Sequence, residues 1–172
     1  MGKLFSAMRR TIYGTPYEIY WKHREKALSS GKIGSIYHKI KCARILRSYN
    51  AFIPLSAQFA GKPSFPHELN GIFLSQGAVI GKNCTIFHQV TIGSVASEGS
   101  KHIGSPVIGD NVIIGAGAKI IGNVHVGNNV RIGANCVVTE DIPDNSTVVL
   151  PHPRIIAHEE SRNNDFVPYK AD

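Results

Sequence analysis

Eight histidines hold most of the proton-transfer chemistry open to this chain: His23, His38, His67, His88, His102, His125, His152 and His158. An imidazole titrates near neutrality and can take a proton from an alcohol. A metal site needs several such side chains converging on one point, and their scatter along the chain argues against one. Cys42, Cys84 and Cys136 have no metal spacing either, and they read as buried packing residues in a reducing compartment. No GxxxxGK loop, no GxGxxG after a strand and no GxSxG elbow is present. His67 and His102 stand out because each sits where a regular repeat begins or is interrupted. His88 points outward one coil from His67 and would border the same cleft. His125 occupies an ordinary outward place and reads as surface.

The repeat that positions these residues has a period of six. Residues 72–95 read IFLSQG, AVIGKN, CTIFHQ, VTIGSV. Residues 106–141 read PVIGDN, VIIGAG, AKIIGN, VHVGNN, VRIGAN, CVVTED. The third place holds Leu74, Ile80, Ile86, Ile92, Ile108, Ile114, Ile120, Val126, Ile132 and Val138, all aliphatic. The first place is mostly small or β-branched. A hexapeptide period predicts a parallel β-helix. Each six supplies a short strand with two inward side chains two residues apart, then a corner where Gly or Asn accepts positive φ. Three sixes complete one triangular coil, and coils must stack to bury their inner faces.

Three segments follow: a helical N-terminal part over 1–62, a β-helix over 63–157 and a C-terminal tail over 158–172. Thr15-Pro16 starts a helix running to about Ser29, with Tyr17, Tyr20, Trp21, Arg24 and Leu28 on one face. A second helix is expected from Ser35 to about Tyr49, with Ile36, Ile40, Ala43, Leu46 and Arg47 at helical spacing. Residues 51–65 read as a passage into the coils, an imperfect first turn. PHELNG, residues 66–71, sits in register one six ahead of Ile72. Residues 96–105 break the period and must leave the prism as an exposed loop. IPDNSTVVLPHPRII is expected to close the open end of the stack. The polar residues 159–172 read as a short helix or a disordered tail.

Charge is unevenly placed. Residues 1–50 hold 11 Lys and Arg against two acids, whereas the remaining residues hold 8 basic and 10 acidic side chains. The first reading of the basic helices is a solvated face. The functional alternative is peripheral contact with a membrane surface or an anionic, lipid-linked substrate. Nucleic-acid binding is not expected, because no motif accompanies the charge and aromatics do not alternate with it. No signal peptide or transmembrane run is apparent, so a cytoplasmic place is expected, with the inner face of the membrane where any such contact would occur.

The hexapeptide blocks, IGAGAKIIGN and PHELNGIFLSQGAVIGKNCTI together resemble the serine acetyltransferase branch of the left-handed β-helix acyltransferases, over roughly residues 65–157. The resemblance implies a left-handed β-helix, a homotrimer and acetyl-CoA bound between neighbouring subunits, with no metal. By position in PHELNGIF, His67 resembles the general base that deprotonates the acceptor hydroxyl. Glu68, Asn70 and His88 fall where the acceptor would be held. His102 resembles a loop histidine near the thioester and acceptor. Ser94, Ala116 and Ala134 resemble places that contact the pantetheine arm, and Arg131 matches a basic place facing the coenzyme phosphates.

Two departures bear on the acceptor. Serine acetyltransferases have an aspartate that orients the base, where this chain reads Asn50, Ala51, Phe52, Ile53, and an aspartate just before the histidine, where it has Pro66. These carboxylates would help hold a serine amino group. The expectation is therefore an acetyl-CoA-dependent O-acetyltransferase acting on a sugar or polysaccharide precursor. Serine O-acetylation in cysteine biosynthesis is the alternative, and a non-enzymatic trimeric scaffold is a third. A γ-type carbonic anhydrase would need an HxxxxH pair, which is absent.

Overall fold

A computed structural model describes residues 15–161. Arg9 and Arg10, and the tail beyond residue 161, lie outside the described residues.

The described residues begin with two helices, α1 (Pro16–Ser29) and α2 (Lys32–Ser48). Thr15 and Glu18 form a reciprocal capping box at the start of α1, with Pro16 in the first turn. α1 buries Tyr20, Trp21, Arg24 and Ala27. Arg24 is the clasp between helix and coils. Its guanidinium donates to the carbonyls of Pro54 (2.9 Å), Leu55 (3.1 Å) and Ala57 (2.6 Å). It also lies against the rings of Trp21 and Phe59. The Tyr17 hydroxyl donates to the Pro63 carbonyl at 2.8 Å.

The expected apolar faces of the helices are only partly the buried ones. α2 starts at Lys32 and buries Ser35, Cys42 and Leu46. Ile36 and Ile40 are exposed, Ile33 is 88% exposed, and Leu28 of α1 is exposed as well. α2 packs on α1 through a stripe that includes the Ser35 hydroxyl bonded to the Ala27 carbonyl, leaving the isoleucine stripe on the opposite side. Burial pushes the Cys42 thiol up to about 11, so it stays protonated and inert.

Beyond the helices, twelve short strands among the described residues form three parallel four-stranded sheets, the faces of a triangular prism. Face one holds Phe73–Leu74, Thr91–Gly93, Lys119–Ile121 and Val137–Val138. Face two holds Gln58–Phe59, Val79–Ile80, Val107–Ile108 and His125–Val126. Face three holds Thr85–Ile86, Ile113–Ile114, Arg131–Ile132 and Thr147–Val148. Single bridges, Phe52 to Phe73, Ser64 to Thr85 and Val126 to Ile142, add a fifth rung to each face. Five coils result, stacked in register so that Ile86 meets Ile114. All ten third-place aliphatics are 0–3% exposed, each contributing roughly 1.5–3 kcal/mol through burial. Where faces two and three meet, Asn83, Asn111, Asn129 and Asn145 adopt φ of 53° to 59°. Their side-chain amides bond in a ladder at 2.8, 3.2 and 3.0 Å. Asn tolerates this left-handed region better than most residues.

Three expectations need correction. Residues 51–65 form a complete coil: Phe52, Gln58 and Ser64 donate backbone bonds to Ile72, Ala78 and Cys84. Pro54 and Pro63 fall between those donor places, where no N–H is required. The stack thus begins at Phe52, ahead of residue 63. PHELNG is out of register. Nine residues separate the rung residues Ser64 and Phe73, where six separate their partners Thr85 and Thr91. The three extra residues bulge from the corner, turning at Glu68 (φ 57°) and Gly71 (φ 63°) while Leu69 plugs the interior. IPDNSTVVLPHPRII completes the stack only with its first half, where Ile142 and Thr147–Val148 form the last rungs; residues 149–161 carry no strand, and Ile155 is 91% exposed. Pro151 and Pro153 lack the N–H groups a further rung would need.

The interruption after Val95 leaves the prism as a loop pinned at its base. Val95 and Gly104 exchange backbone hydrogen bonds, both of 2.9 Å.

Candidate active site

The PHELNG bulge stands at the corner between faces three and one, and successive coils stack their own corners on it. Gln89 N–H donates to the Asn70 carbonyl (2.8 Å), Gly117 N–H to the His88 carbonyl (3.0 Å) and Asn135 N–H to the Ala116 carbonyl (2.8 Å). One edge of the prism therefore aligns His67, His88, Ala116 and Ala134, residues up to 67 positions apart in sequence.

At the head of that edge the two imidazoles meet, with Nδ1 of His67 2.6 Å from Nδ1 of His88. At this distance one nitrogen donates to the other. The Phe87 ring stands edge-on to His67, 5.5 Å between centroids. The Asn70 amide donates to the His67 carbonyl at 2.8 Å and braces the bulge. His67 is exposed and His88 half-buried. With Nδ1 engaged, Nε2 of His67 is the nitrogen left for an incoming hydroxyl.

Glu68 does not serve His67. Its carboxylate accepts the Tyr17 N–H at 3.3 Å, a favourable place for an anion at the positive end of α1. Lys119 is a contributor the sequence did not signal. From face one it folds back and donates to the carbonyls of Gln89 (3.0 Å) and Gly117 (2.7 Å), clamping the histidine corner to the coil below.

The remaining site residues fall elsewhere on the prism. Ser94 and His102 belong to the corner between faces one and two, across face one from His67. His102 is exposed, and its carbonyl accepts Asn123 N–H at 2.9 Å. Arg131 is exposed on face three, in the strand leading to Ala134. Among the described residues, no group of three or more His, Cys, Asp or Glu converges as a metal site would.

The edge itself carries small side chains. Ala134 is exposed and Ala116 half-exposed. Gly115 is packed so tightly that a Cβ there would lie 2.6 Å from the Ala134 nitrogen. Small side chains along a hydrogen-bonded spine leave backbone for a ligand to approach.

Five stacked coils built from six-residue repeats define the class: a left-handed parallel β-helix of the hexapeptide-repeat type, winding against the usual right-handed crossover preference. The bacterial transferase hexapeptide (six repeats) family matches residues 105–140. Chloroplastic serine acetyltransferase 1 of Arabidopsis thaliana is 39% identical over 110 residues, 63% of this chain and 34% of its own. Staphylococcus aureus (strain Mu50 / ATCC 700699) serine acetyltransferase is 46% identical over 90 residues, 52% of this chain and 41% of its own. Among solved structures, Entamoeba histolytica serine acetyltransferase isoform 3 in complex with cysteine superposes with a TM-score of 0.69 at 31% identity, over 87% of this chain and 53% of its own. Neisseria gonorrhoeae serine acetyltransferase in complex with serine gives 0.65 at 30%, over 84% and 58%. The chain thus spans from about a third to somewhat over half the length of these relatives. These matches support its resemblance to the serine acetyltransferase-like branch of the hexapeptide-repeat acyltransferases.

These relatives overturn the sugar or polysaccharide acceptor expected from the two missing carboxylates. The expectation rested on the absence of two carboxylates that would help hold a serine amino group. In the folded chain the group beside His67 comes from the next coil.

Proposed function

We propose that the chain is a serine O-acetyltransferase that uses acetyl-CoA and works as a homotrimer. The observation that carries this reading is the His67 imidazole, exposed at the head of a small-residue edge, on a scaffold whose relatives are serine acetyltransferases. His67 would accept the acceptor's hydroxyl proton on Nε2, leaving the oxygen free to attack an acyl carbon. The bound thioester supplies the acetyl group. Ala116 and Ala134 would line the pantetheine arm, with Arg131 reaching towards its phosphates. Ser94 and His102 sit across face one from His67, so a neighbouring subunit's loop is the natural way to bring such residues to one site. Asn70 keeps an unused amide oxygen beside the base, suited to a substrate ammonium or hydroxyl.

Thiol release from acetyl-CoA should depend on L-serine and exceed that with homoserine or nucleotide sugars by tenfold or more. Following free thiol with a disulfide dye checks this. No serine-dependent release from a folded oligomer would sink the reading and favour a non-enzymatic scaffold.

One further observation supports a second contact. The outer side of α2 exposes Ile33, Ile36 and Ile40 beside Lys32, Lys39 and Arg44, and the helix carries no acid. An apolar stripe flanked by cations suits an anionic lipid surface. No helix among the described residues is long and apolar enough to cross a membrane. Vesicles containing phosphatidylglycerol should sediment the protein at low salt. Equal recovery with neutral phosphatidylcholine vesicles would remove the idea.

A further inference from the structure

We propose that His88 is the positioning partner of His67, an imidazole doing what a carboxylate does for a catalytic histidine elsewhere. This rests on the acetyltransferase reading above and assigns His88 a role in catalysis through His67.

The geometry leaves little choice of partner. Nδ1 of His67 needs a group that accepts its proton if Nε2 is to stay basic. Glu68, the adjacent acid, is turned to the Tyr17 amide, and Lys119, the nearest cation on face one, is engaged by the Gln89 and Gly117 carbonyls. The Nδ1 of His88 stands 2.6 Å from that of His67. Two nitrogens this close share a single hydrogen. Because Nε2 of His67 is the nitrogen open to substrate, the productive arrangement has His67 donating from Nδ1 and His88 accepting with its Nδ1 lone pair. When His67 takes the acceptor's proton it becomes an imidazolium donating to His88, which spreads the new charge over two rings. The proton then leaves from Nε2 to the departing thiolate, and the pair returns to its starting tautomers.

The spine fixes this arrangement. The His88 carbonyl accepts Gly117 N–H, which holds its backbone to the third coil. Phe87 packs edge-on to the His67 ring, so the residue before His88 helps to lock the ring that His88 orients. A neutral acceptor differs from a carboxylate in charge: it orients the base without strongly raising the base's affinity for a proton. That gives the pair a signature a merely structural residue would lack.

The test compares the wild-type oligomer with His88→Ala, His88→Asn and His88→Asp. Alanine should lower kcat by about 10–100-fold, within the range for losing general-base efficiency, with KM for acetyl-CoA within twofold. Aspartate should restore kcat to within about fivefold. It should also move the acidic limb of the kcat/KM profile up by about one pH unit, because an anion beside an imidazole favours its protonated form. Unchanged kcat in the alanine variant, or equal losses in all three with an unmoved acidic limb, would overturn the assignment. Nitrogen-15 spectra of histidine-labelled protein give a readout independent of turnover. His67 should show a protonated Nδ1 and a bare Nε2, and the reverse tautomer would overturn the proposal. If the wild type acetylates nothing, the functional reading fails, while the spectra still decide the pair.

Discussion

Replacing His67 by alanine should lower kcat for acetyl transfer by about 10²–10⁴-fold, the usual contribution of a positioned general base. The thermal midpoint should move little. His67 is exposed at the tip of a bulge, and its ring contributes no core volume. The bulge has its own supports: Leu69 is fully buried, Gly71 N–H donates to the Tyr49 carbonyl at 2.9 Å, and Gln89 N–H donates to the Asn70 carbonyl at 2.8 Å. Residue 67 itself takes part in the Asn70 bond to its backbone, which survives the substitution, and in ring contacts with His88 and Phe87 at the surface. KM for acetyl-CoA should stay within about twofold, since the small-residue edge lies on the later coils. Steady-state kinetics beside a thermal melt checks this. A variant within fivefold of wild type would remove His67 from the base role.

Replacing Arg24 by alanine should cost roughly 3–5 kcal/mol, the largest stability effect expected of one polar side chain here. The guanidinium is 4% exposed and satisfies three carbonyls of the first coil. Hydrogen bonds to charged groups contribute about 1.5–3 kcal/mol each, and stranded acceptors carry a desolvation penalty. The contributions are not additive, so the sum is capped well below three full bonds. The loss should be local. The later coils are stacked through parallel rungs that do not involve α1, so urea unfolding should split into an early loss of helix signal and a later loss of the β-helix. A single transition within 1 kcal/mol of wild type would show that Arg24 is not the clasp. Arg24→Lys should recover only part of the loss, because one ammonium lacks the planar fork that reaches three carbonyls.

The repeat was legible because the physics behind it is local. Each six carries its own inward pair and its own corner, so Leu74 to Val138 could be placed in the core one after another, and the Gly and Asn that follow them at corners. The first coil was legible only as an imperfect turn. AFIPLSAQFAGKPSF has a single corner glycine, Gly61, no corner Asn and two prolines, so it reads as a passage into the coils. Its rung places show only once the next coil is there to accept their N–H groups. The helices were legible as helices, through the Thr15-Pro16 start. Which stripe of α2 is buried was not, since its isoleucines look like core until α1 is seen to pack against Ser35, Cys42 and Leu46.

The same division holds at the site. By itself the sequence determined that the six-residue rule runs from Ile72, just after His67, that residues 96–105 must loop out, and that small residues recur at Ala116 and Ala134. Tertiary structure alone decided what His67 touches. Three surplus residues in PHELNG push it out of the corner, and the rise of one coil brings His88, 21 residues on, to its Nδ1. A missing aspartate can be read from sequence, but a replacement supplied by stacking cannot. The contact depends on the register between coils, and no residue near His67 in the chain records it.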